Sequence, residues 1–120
     1  MKLEQQVVSL ELAKKLKSLG VKQESAFYWV YSKMSSFWQV LYGPYHGGAD
    51  TIAAFTVAEL GEMLPNNKVH TLKWFGQFYC EAWDDVVEKT NPITRCVSDT
   101  EADARAKMLV YLIEQGIVKV

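Results

Sequence analysis

The residues with the clearest chemical potential lie in one loop, from Tyr42 to Asp50, which reads YGPYHGGAD. Its three glycines would let a backbone approach a bound phosphate or ring closely, and Tyr42 and Tyr45 supply stacking faces. His46 can give or take a proton near neutral pH. The loop lacks the GxxxxGKS/T spacing of a phosphate-binding loop and the strand-to-helix GxGxxG context of a dinucleotide site.

Two interpretations follow for this loop. One is a small-molecule or nucleotide site. The other is an ordinary connection from a strand to a helix, since glycine and proline often do no more than mark a loop. Because the phosphate-binding spacings are missing, we favour the connection.

A second set of residues with binding potential is aromatic and is concentrated in the predicted strands. Its members are Phe27, Tyr28, Trp29, Tyr31, Phe37, Trp38, Tyr42, Trp74, Phe75, Phe78, Tyr79 and Trp83. Because side chains alternate across a strand, Phe27, Trp29 and Tyr31 are expected on one face, and Tyr28 and Val30 on the other. Either the helices cover one apolar face and the rings fill the core, or the second face binds a partner protein or a second copy of the chain.

We assign ligand or partner binding to five residues of these two sets, namely Tyr28, Trp38, Tyr42, Tyr45 and His46. If the chain forms a homodimer through its aromatic sheet face, a Trp38→Asp change should leave the fold intact and abolish association. Single-stranded nucleic acid is not expected as a partner. A stacking platform for it needs interleaved lysine and arginine, and only three lysines lie near these strands.

Three carboxylates, Asp84, Asp85 and Glu88, follow the last predicted strand. Paired carboxylates can hold a divalent cation or transfer protons, but no second cluster completes such a site. A solvated acidic turn is therefore favoured. His70, inside a predicted strand, has no recognisable partner.

The two cysteines, Cys80 and Cys96, are too far apart, and have too few histidines near them, for a zinc site of familiar spacing. We expect Cys80 to be a small core residue and Cys96 to be a loop thiol. No nucleophile, base and orienting group can be named together. The prediction is therefore a non-enzymatic protein without catalytic residues, bound metal or cofactor.

Three helices are predicted to position these residues, and each has a start and a stop signal. The first runs over residues 10–19 and ends at Gly20. The second runs over residues 57–64, behind a capping box of Thr56 and Glu59, and is stopped by the proline that follows.

The third helix has its N-cap at Thr100, with Asp103 as a capping-box-like partner. It ends where Gly116 and Ile117 fit a Schellman motif. Within the second helix, Gly61 is expected to lower stability by roughly 1 kcal/mol relative to alanine.

Between the helices, runs of aromatic and β-branched residues predict four strands in two antiparallel hairpins. The first hairpin pairs residues 26–31 with 37–42, and the second pairs residues 69–74 with 77–83 around a Phe-Gly turn. We predict an α+β fold in which the hairpins form one sheet and three helices cover one or both of its sides, in the order helix, two strands, helix, two strands, helix. The chain is expected to form a single domain, 1–120.

The charge balance limits the classes of partner. With 13 basic and 14 acidic residues the net charge is −1 at pH 7, so no global field draws the protein to nucleic acid or to an anionic membrane. No stretch approaches the roughly 20 apolar residues of a membrane span, and Met1 to Gln6 lacks the basic-then-apolar plan of a signal peptide. We expect no membrane contact and a cytoplasmic location.

Four segments resemble one group of known sequences. They are VSLELAKKLK at 8–17, FYWV at 27–30, TVAELGEMLP at 56–65 and TEADARAKML at 100–109. In these segments the chain resembles small uncharacterised proteins carried by phages, prophages and bacterial mobile DNA. The resemblance covers most of the chain and implies a compact α+β sandwich with the same helix and hairpin order, but no activity or catalytic residues. One departure is the connection 84–99, which is longer here.

The expected function combines these observations. We predict a small accessory protein of phage or mobile-element origin that acts by protein–protein contact without catalysis. Its partner would be an unknown protein or a second copy of itself. The alternative is a small-molecule or nucleotide-binding protein that uses loop 42–50.

Overall fold

The computed structural model describes residues 2–45, 50–65, 69–83 and 93–120. In these ranges the chain forms the helices α1 (Leu3–Gln6), α2 (Leu10–Ser18), α3 (Val57–Met63) and α4 (Glu101–Glu114). The strands are β1 (Phe27–Ser32), β2 (Phe37–Tyr42), β3 (Thr51–Ala53), β4 (Val69–Trp74), β5 (Gln77–Trp83) and β6 (Ile93–Ser98). The fold is therefore mixed α+β, as predicted.

The strands form two separate antiparallel sheets of three strands each. Sheet 1 has the order β2-β1-β3, and sheet 2 has the order β4-β5-β6. Both predicted hairpins are confirmed, as β1 with β2 and β4 with β5. The prediction that they share one sheet is wrong, because each hairpin pairs with a third strand of its own.

The third strand of each sheet comes from a segment that the sequence pattern assigns to a connection. Strand β3 pairs with β1, and β6 pairs with β5. Each pairing satisfies backbone groups along one edge of a hairpin, and this gain depends on the partner strand rather than on a local residue pattern. The predicted element order is therefore also wrong, since it omits β3, β6 and the single-turn helix α1.

The starts of α3 and α4 follow their predicted signals in part. Thr56 and Glu59 form the full capping box, since the Glu59 N–H donates to Thr56 Oγ1 over 3.2 Å and the Thr56 N–H donates to Glu59 Oε1 over 2.9 Å. At α4 the Asp103 N–H donates to Thr100 Oγ1 over 3.2 Å. The Asp103 carboxylate, however, accepts from the Ser9 N–H over 2.7 Å. The second half of that capping box is thus replaced by a bond to the start of α2.

Helix α4 ends in the predicted Schellman motif. Gly116 has a φ of 76°, and the Ile117 N–H donates to the Leu112 carbonyl over 2.9 Å. Helix α2 ends in the same way at Gly20, whose φ is 92°. Both helix ends need glycine, because a side chain with a Cβ rarely adopts this left-handed backbone.

The main core forms where α4 packs on β5 and β6 of sheet 2 and against α2 and α3. Its largest fully buried side chains include Phe55, Leu16, Leu60, Met108, Leu109 and Leu112. Three small residues of α4, Ala102, Ala104 and Ala106, are also fully buried. Their size lets the helix approach its neighbours closely, as a close-packed interior requires.

Cys80 and Cys96 lie opposite each other on β5 and β6. Cys80 is buried, which confirms its predicted core role, but Cys96 lies half-buried in a strand, so its assignment to a loop is wrong. Burial raises the pKa of the Cys80 thiol from 9.0 to about 12, and it also raises the pKa of Cys96. Both thiols are therefore poor nucleophiles at neutral pH, because the thiolate is the reactive form.

Arg105 of α4 joins three elements at the edge of this core. Its Nε donates to Thr71 Oγ1 of β4 over 3.0 Å, and its Nη1 donates to the Val57 carbonyl of α3 over 3.0 Å. Its Nη2 lies 3.0 Å from Glu101 Oε2, one turn earlier on α4. A Cβ on Gly61 would lie 2.4 Å from Nη1. The glycine that weakens α3 locally therefore leaves room for the guanidinium.

Candidate functional site

The structure places three of the five predicted binding residues in sheet 1, on two different faces. The strand register places Trp38 and Tyr42 on one face and Tyr28 on the other. Tyr45 packs against Tyr28, and His46 lies outside the described residues. The predicted residues that the structure describes therefore form two groups rather than one site.

Tyr28 is packed into the protein, with 5% of its surface exposed. Its hydroxyl accepts from the Ser25 N–H over 3.3 Å and donates to the Gln23 carbonyl over 3.3 Å. A Cβ on Gly43 would lie 2.5 Å from the Tyr28 ring. Tyr28 thus supports the start of loop 42–50 from inside the protein.

A cleft of about 520 Å³ opens beside Tyr28 and Tyr45. Its lining residues are Lys22, Gln23, Glu24, Ser25, Tyr28, Pro44 and Tyr45. Tyr45 is 36% exposed and meets the Tyr28 ring edge-on at a centroid distance of 5.9 Å. The cleft offers an aromatic ring, a lysine and a carboxylate to a small ligand, although Lys22 Nζ already lies 3.2 Å from Glu24 Oε1.

The opposite face of sheet 1 presents aromatic rings toward the edge of the sheet. Trp38 packs on Tyr31 with the ring centroids 5.4 Å apart, and Lys14 Nζ of α2 lies 5.3 Å from the Trp38 ring centroid. Tyr42 meets Phe27 edge-on at 5.6 Å and remains 75% exposed. Helix α2 thus contacts one end of β2 on this face, and Tyr42 is open at the other end.

Sheet 2 carries a charged row that the sequence pattern does not reveal. The register puts His70, Glu81 and Arg95 side by side across β4, β5 and β6. His70 Nε2 lies 2.9 Å from Glu81 Oε1, and Arg95 Nε donates to Glu81 Oε2 over 2.7 Å. The prediction that His70 has no partner is wrong, because residues distant in the chain become neighbours only once the strands pair. Arg95 was missed for the same reason, since its segment reads as a connection.

The charged row is suited to joining strands. Glu81 is only 5% exposed, and both of its carboxylate oxygens are engaged by the neighbouring side chains. Within the residues that the structure describes, no group of three or more His, Cys, Asp or Glu could hold a metal ion. The predicted acidic turn of Asp84, Asp85 and Glu88 lies outside the described residues.

The β4–β5 hairpin ends in two exposed aromatic residues. Trp74 is 60% exposed and Phe75 is 87% exposed, and their ring centroids are 5.0 Å apart. Phe75 has a φ of 51° and Gly76 a φ of 79°, which makes the two-residue connection a type I′ turn. Asparagine, aspartate or glycine normally occupies the first position of this turn, because a left-handed backbone is costly for a residue with a bulky side chain.

The two exposed rings at the end of the hairpin adjoin the outer face of sheet 2. This face is opposite the one that carries buried Cys80, and it is turned away from α4. Leu72, Tyr79 and Val97 lie side by side across this face, in the row next to the charged one. Leu72 is 37% exposed. Together, Leu72, Trp74, Phe75, Tyr79 and Val97 form the outer apolar surface of sheet 2.

Comparison with known proteins adds no assignment to these surfaces. No family model, curated protein or solved structure matches the chain. The resemblance to phage-borne proteins therefore stays a prediction. In the described part of the chain, no helix has the length and apolar character needed to cross a membrane.

Proposed function

We propose that this protein is a small accessory protein that acts by binding another protein, without catalysis, through the outer apolar surface of sheet 2. The observation that carries the proposal is Phe75, an aromatic side chain that is 87% exposed in a turn position whose backbone favours asparagine or glycine. Such a residue is unfavourable for its own turn and gains little by packing within the hairpin. Contact with a partner supplies a reason for it.

The surroundings of Phe75 indicate the chemistry of the partner. Trp74 and Phe75 project as adjacent rings, and aromatic side chains are frequent anchors of protein interfaces. Arg95 lies on the same outer face of the sheet, where its guanidinium is 5.6 Å from the Tyr79 ring centroid and is paired with Glu81. We therefore propose a protein partner that presents an apolar pocket to these rings.

The Phe75→Asn variant tests this proposal. Asparagine suits the first position of a type I′ turn, so we expect the free energy of unfolding to rise by about 0.5–1 kcal/mol. Loss of the anchor ring is expected to weaken partner binding by roughly tenfold or more. Thermal unfolding measures the first quantity. Affinity purification from the cells that encode the protein, followed by titration of the purified partner, measures the second.

Met34→Ser is the matched control, because Met34 is 99% exposed at the turn of the other hairpin. Proteins that bind wild type and Met34→Ser, but not Phe75→Asn, are the expected partners. A drop in stability of Phe75→Asn would give the ring a structural role instead. If Phe75→Asn retains every protein that wild type binds, the proposed surface is wrong.

The cleft beside Tyr45 supports a second candidate, a small-molecule or nucleotide-binding protein that uses loop 42–50. Its volume of about 520 Å³ is within the range of ligand pockets, and Tyr45 gives it a partly exposed aromatic wall. A ligand stacked on this ring should raise the melting temperature of wild type but not of Tyr45→Ala, in a screen of nucleotides and aromatic metabolites. Equal shifts in both proteins, or no shift with any compound, would contradict this candidate.

We also propose a mobile-element origin and a cytoplasmic location. The likeness of four sequence segments to phage-borne proteins supports the origin. The near balance of 13 basic and 14 acidic residues agrees with a protein that is not drawn to an anionic membrane surface.

A further inference from the structure

We propose that two copies of this chain associate through the edge of sheet 1, where β2 of one subunit pairs antiparallel with β2 of the other. The pairing would join both copies of sheet 1 into one six-stranded sheet, in the order β3-β1-β2-β2-β1-β3. This inference goes beyond the proposed function, because it concerns sheet 1 and a second copy rather than sheet 2 and a different protein.

The first support is the direction of the backbone groups in β1. The Tyr31 N–H donates to the Asp50 carbonyl over 2.9 Å, and the Ala54 N–H donates to the Phe27 carbonyl over 2.9 Å. Odd-numbered residues of β1 therefore bond toward β3. Because hydrogen-bonding directions alternate along a strand, even-numbered residues of β1 bond toward β2.

The same alternation determines which groups of β2 are open. The register pairs the even-numbered residues of β1 with odd-numbered residues of β2, so the latter bond to β1. The N–H and C=O groups of Trp38, Val40 and Tyr42 consequently point away from the sheet. Among the described residues, no backbone hydrogen bond from another element reaches these groups.

Within the described ranges, other sheet edges have protection that β2 lacks. The Thr51 carbonyl of β3 accepts from Lys17 Nζ over 3.1 Å, and the Val97 carbonyl of β6 accepts from Lys107 Nζ over 2.7 Å. Strand β4 carries a charge of its own at Lys73. Strand β2 reads FWQVLY, without any charged residue, proline or glycine that would discourage strand addition.

The sequence of β2 complements itself in one antiparallel register. With Val40 on the two-fold axis, Trp38 lies opposite Tyr42 of the partner subunit. Within each subunit Trp38 already packs on Tyr31, and Tyr42 packs on Phe27. Each side of the axis would therefore hold a continuous row of four rings across four strands. A register centred on Trp38 or Tyr42 would leave part of each β2 strand without a partner.

The exposed area fits a weak dimer. Tyr42 is 75% exposed and Phe37 is 52% exposed, at the two ends of β2, so both have apolar surface left to bury. A ladder over residues 38–42 covers less than the roughly 1,600 Å² of a standard interface, so we expect a dissociation constant on the order of 10 µM. Because β2 is uncharged, no like charges of this strand meet at the axis.

Sedimentation velocity of the full chain from about 1 to 200 µM tests the dimer directly. Wild type is expected to change from monomer to dimer over this range.

Tyr42 is the residue to change, because Trp38 is half-buried and a substitution there would also disturb packing. Tyr42→Lys is expected to weaken dimerisation by roughly tenfold or more, while Tyr42→Phe keeps the ring and the dimer. Phe75→Asn should leave the dimer unchanged, which separates this inference from the proposed function.

Amide hydrogen exchange of wild type locates the contact without any substitution. The amides of Trp38, Val40 and Tyr42 should exchange slowly at high protein concentration and quickly at low concentration. The amides of Gln39 and Leu41, which bond to β1, are internal controls that should exchange slowly at both. A monomer at every concentration overturns the inference. So does a dimer whose dissociation constant is the same in Tyr42→Lys as in wild type, or one in which the outward β2 amides exchange at concentration-independent rates.

Discussion

Arg105→Met is expected to lower the free energy of unfolding by about 3 kcal/mol, because it removes two hydrogen bonds that join α4 to α3 and β4 and one ion pair within α4. Methionine keeps an apolar stem of similar length, so the loss reports mainly on the guanidinium. The Val57 carbonyl and the Thr71 hydroxyl lose their donor in a partly buried position. For a chain of this length we expect the melting temperature to fall by about 10 °C in a calorimetric scan.

Lys15→Met is the matched control for this variant. Lys15 Nζ also forms an ion pair, with Glu114 Oε2 at 3.3 Å, but the two side chains are 47% and 46% exposed. Exposed pairs of this kind contribute about 0.5 kcal/mol. An equal decrease in the free energy of unfolding in Arg105→Met and Lys15→Met would contradict the special role of the Arg105 contacts.

Gly61→Ala tests the Arg105 contacts through the sign of its effect on the free energy of unfolding. Alanine in a helix normally gains about 1 kcal/mol over glycine. Here the new Cβ would lie 2.4 Å from Arg105 Nη1, which cannot move without losing its bonds. We therefore expect Gly61→Ala to destabilise wild type and to stabilise Arg105→Met. The same sign in both backgrounds would show that the guanidinium is not what requires the glycine.

Gly43→Ala is expected to cost about 2–3 kcal/mol of unfolding free energy, measured by urea denaturation, because the added methyl overfills a packed site. Its Cβ would lie 2.5 Å from Tyr28 Cε2 and 2.6 Å from Tyr28 Cδ2. The ring cannot easily yield, since its hydroxyl bonds to Ser25 and Gln23 and Tyr45 packs against it. The change should therefore also disturb the cleft beside Tyr45.

The Tyr28→Ala background isolates the cause of this cost. Without the ring, Gly43→Ala should lose most of its cost, because the nearest remaining neighbour of the Cβ is the Tyr45 backbone nitrogen at 3.2 Å. A full cost in that background would place the strain in the backbone of Gly43 rather than in its contact with Tyr28. Circular dichroism of each variant confirms that the comparison is between folded proteins.

Local signals predict those parts of the fold whose cause lies within a few residues. The Thr56–Glu59 capping box and the left-handed Gly116 both act on their own helix, and the structure confirms them. The Phe-Gly turn likewise brings its flanking strands together as predicted. In each case the interacting groups are neighbours in the chain, so residue type and spacing are sufficient.

Strands whose stability comes from distant partners cannot be predicted from local residue patterns. Strand β3 has three residues, and β6 falls in a segment with no alternating pattern strong enough to mark it. Each strand exists because it pairs along a hairpin edge. The prediction of a single sheet was wrong for this reason. Each hairpin pairs with a third strand of its own instead of pairing with the other hairpin.

The candidate surfaces likewise have some features that local sequence predicts and others that depend on the folded structure. Tyr42 was predicted as a binding residue and is open to solvent, whereas Tyr28 is packed inside. Phe75 was recognised as aromatic but not as a binding residue, because its exposure depends on the turn that it occupies. Glu81 had no signal beyond being a carboxylate in an apolar strand, and its neighbours come from two other strands.

The sequence by itself determined the three longer helices, the two hairpins and the aromatic character of their strands, because caps, turns and periodicity act over short distances along the chain. Only the tertiary structure decided that there are two sheets, which rings are covered, and which strand edge is left open. Those outcomes depend on strand pairing and burial between residues far apart in sequence. The open edge of β2 and the exposed tip at Phe75 are therefore properties of the folded chain that no single segment encodes.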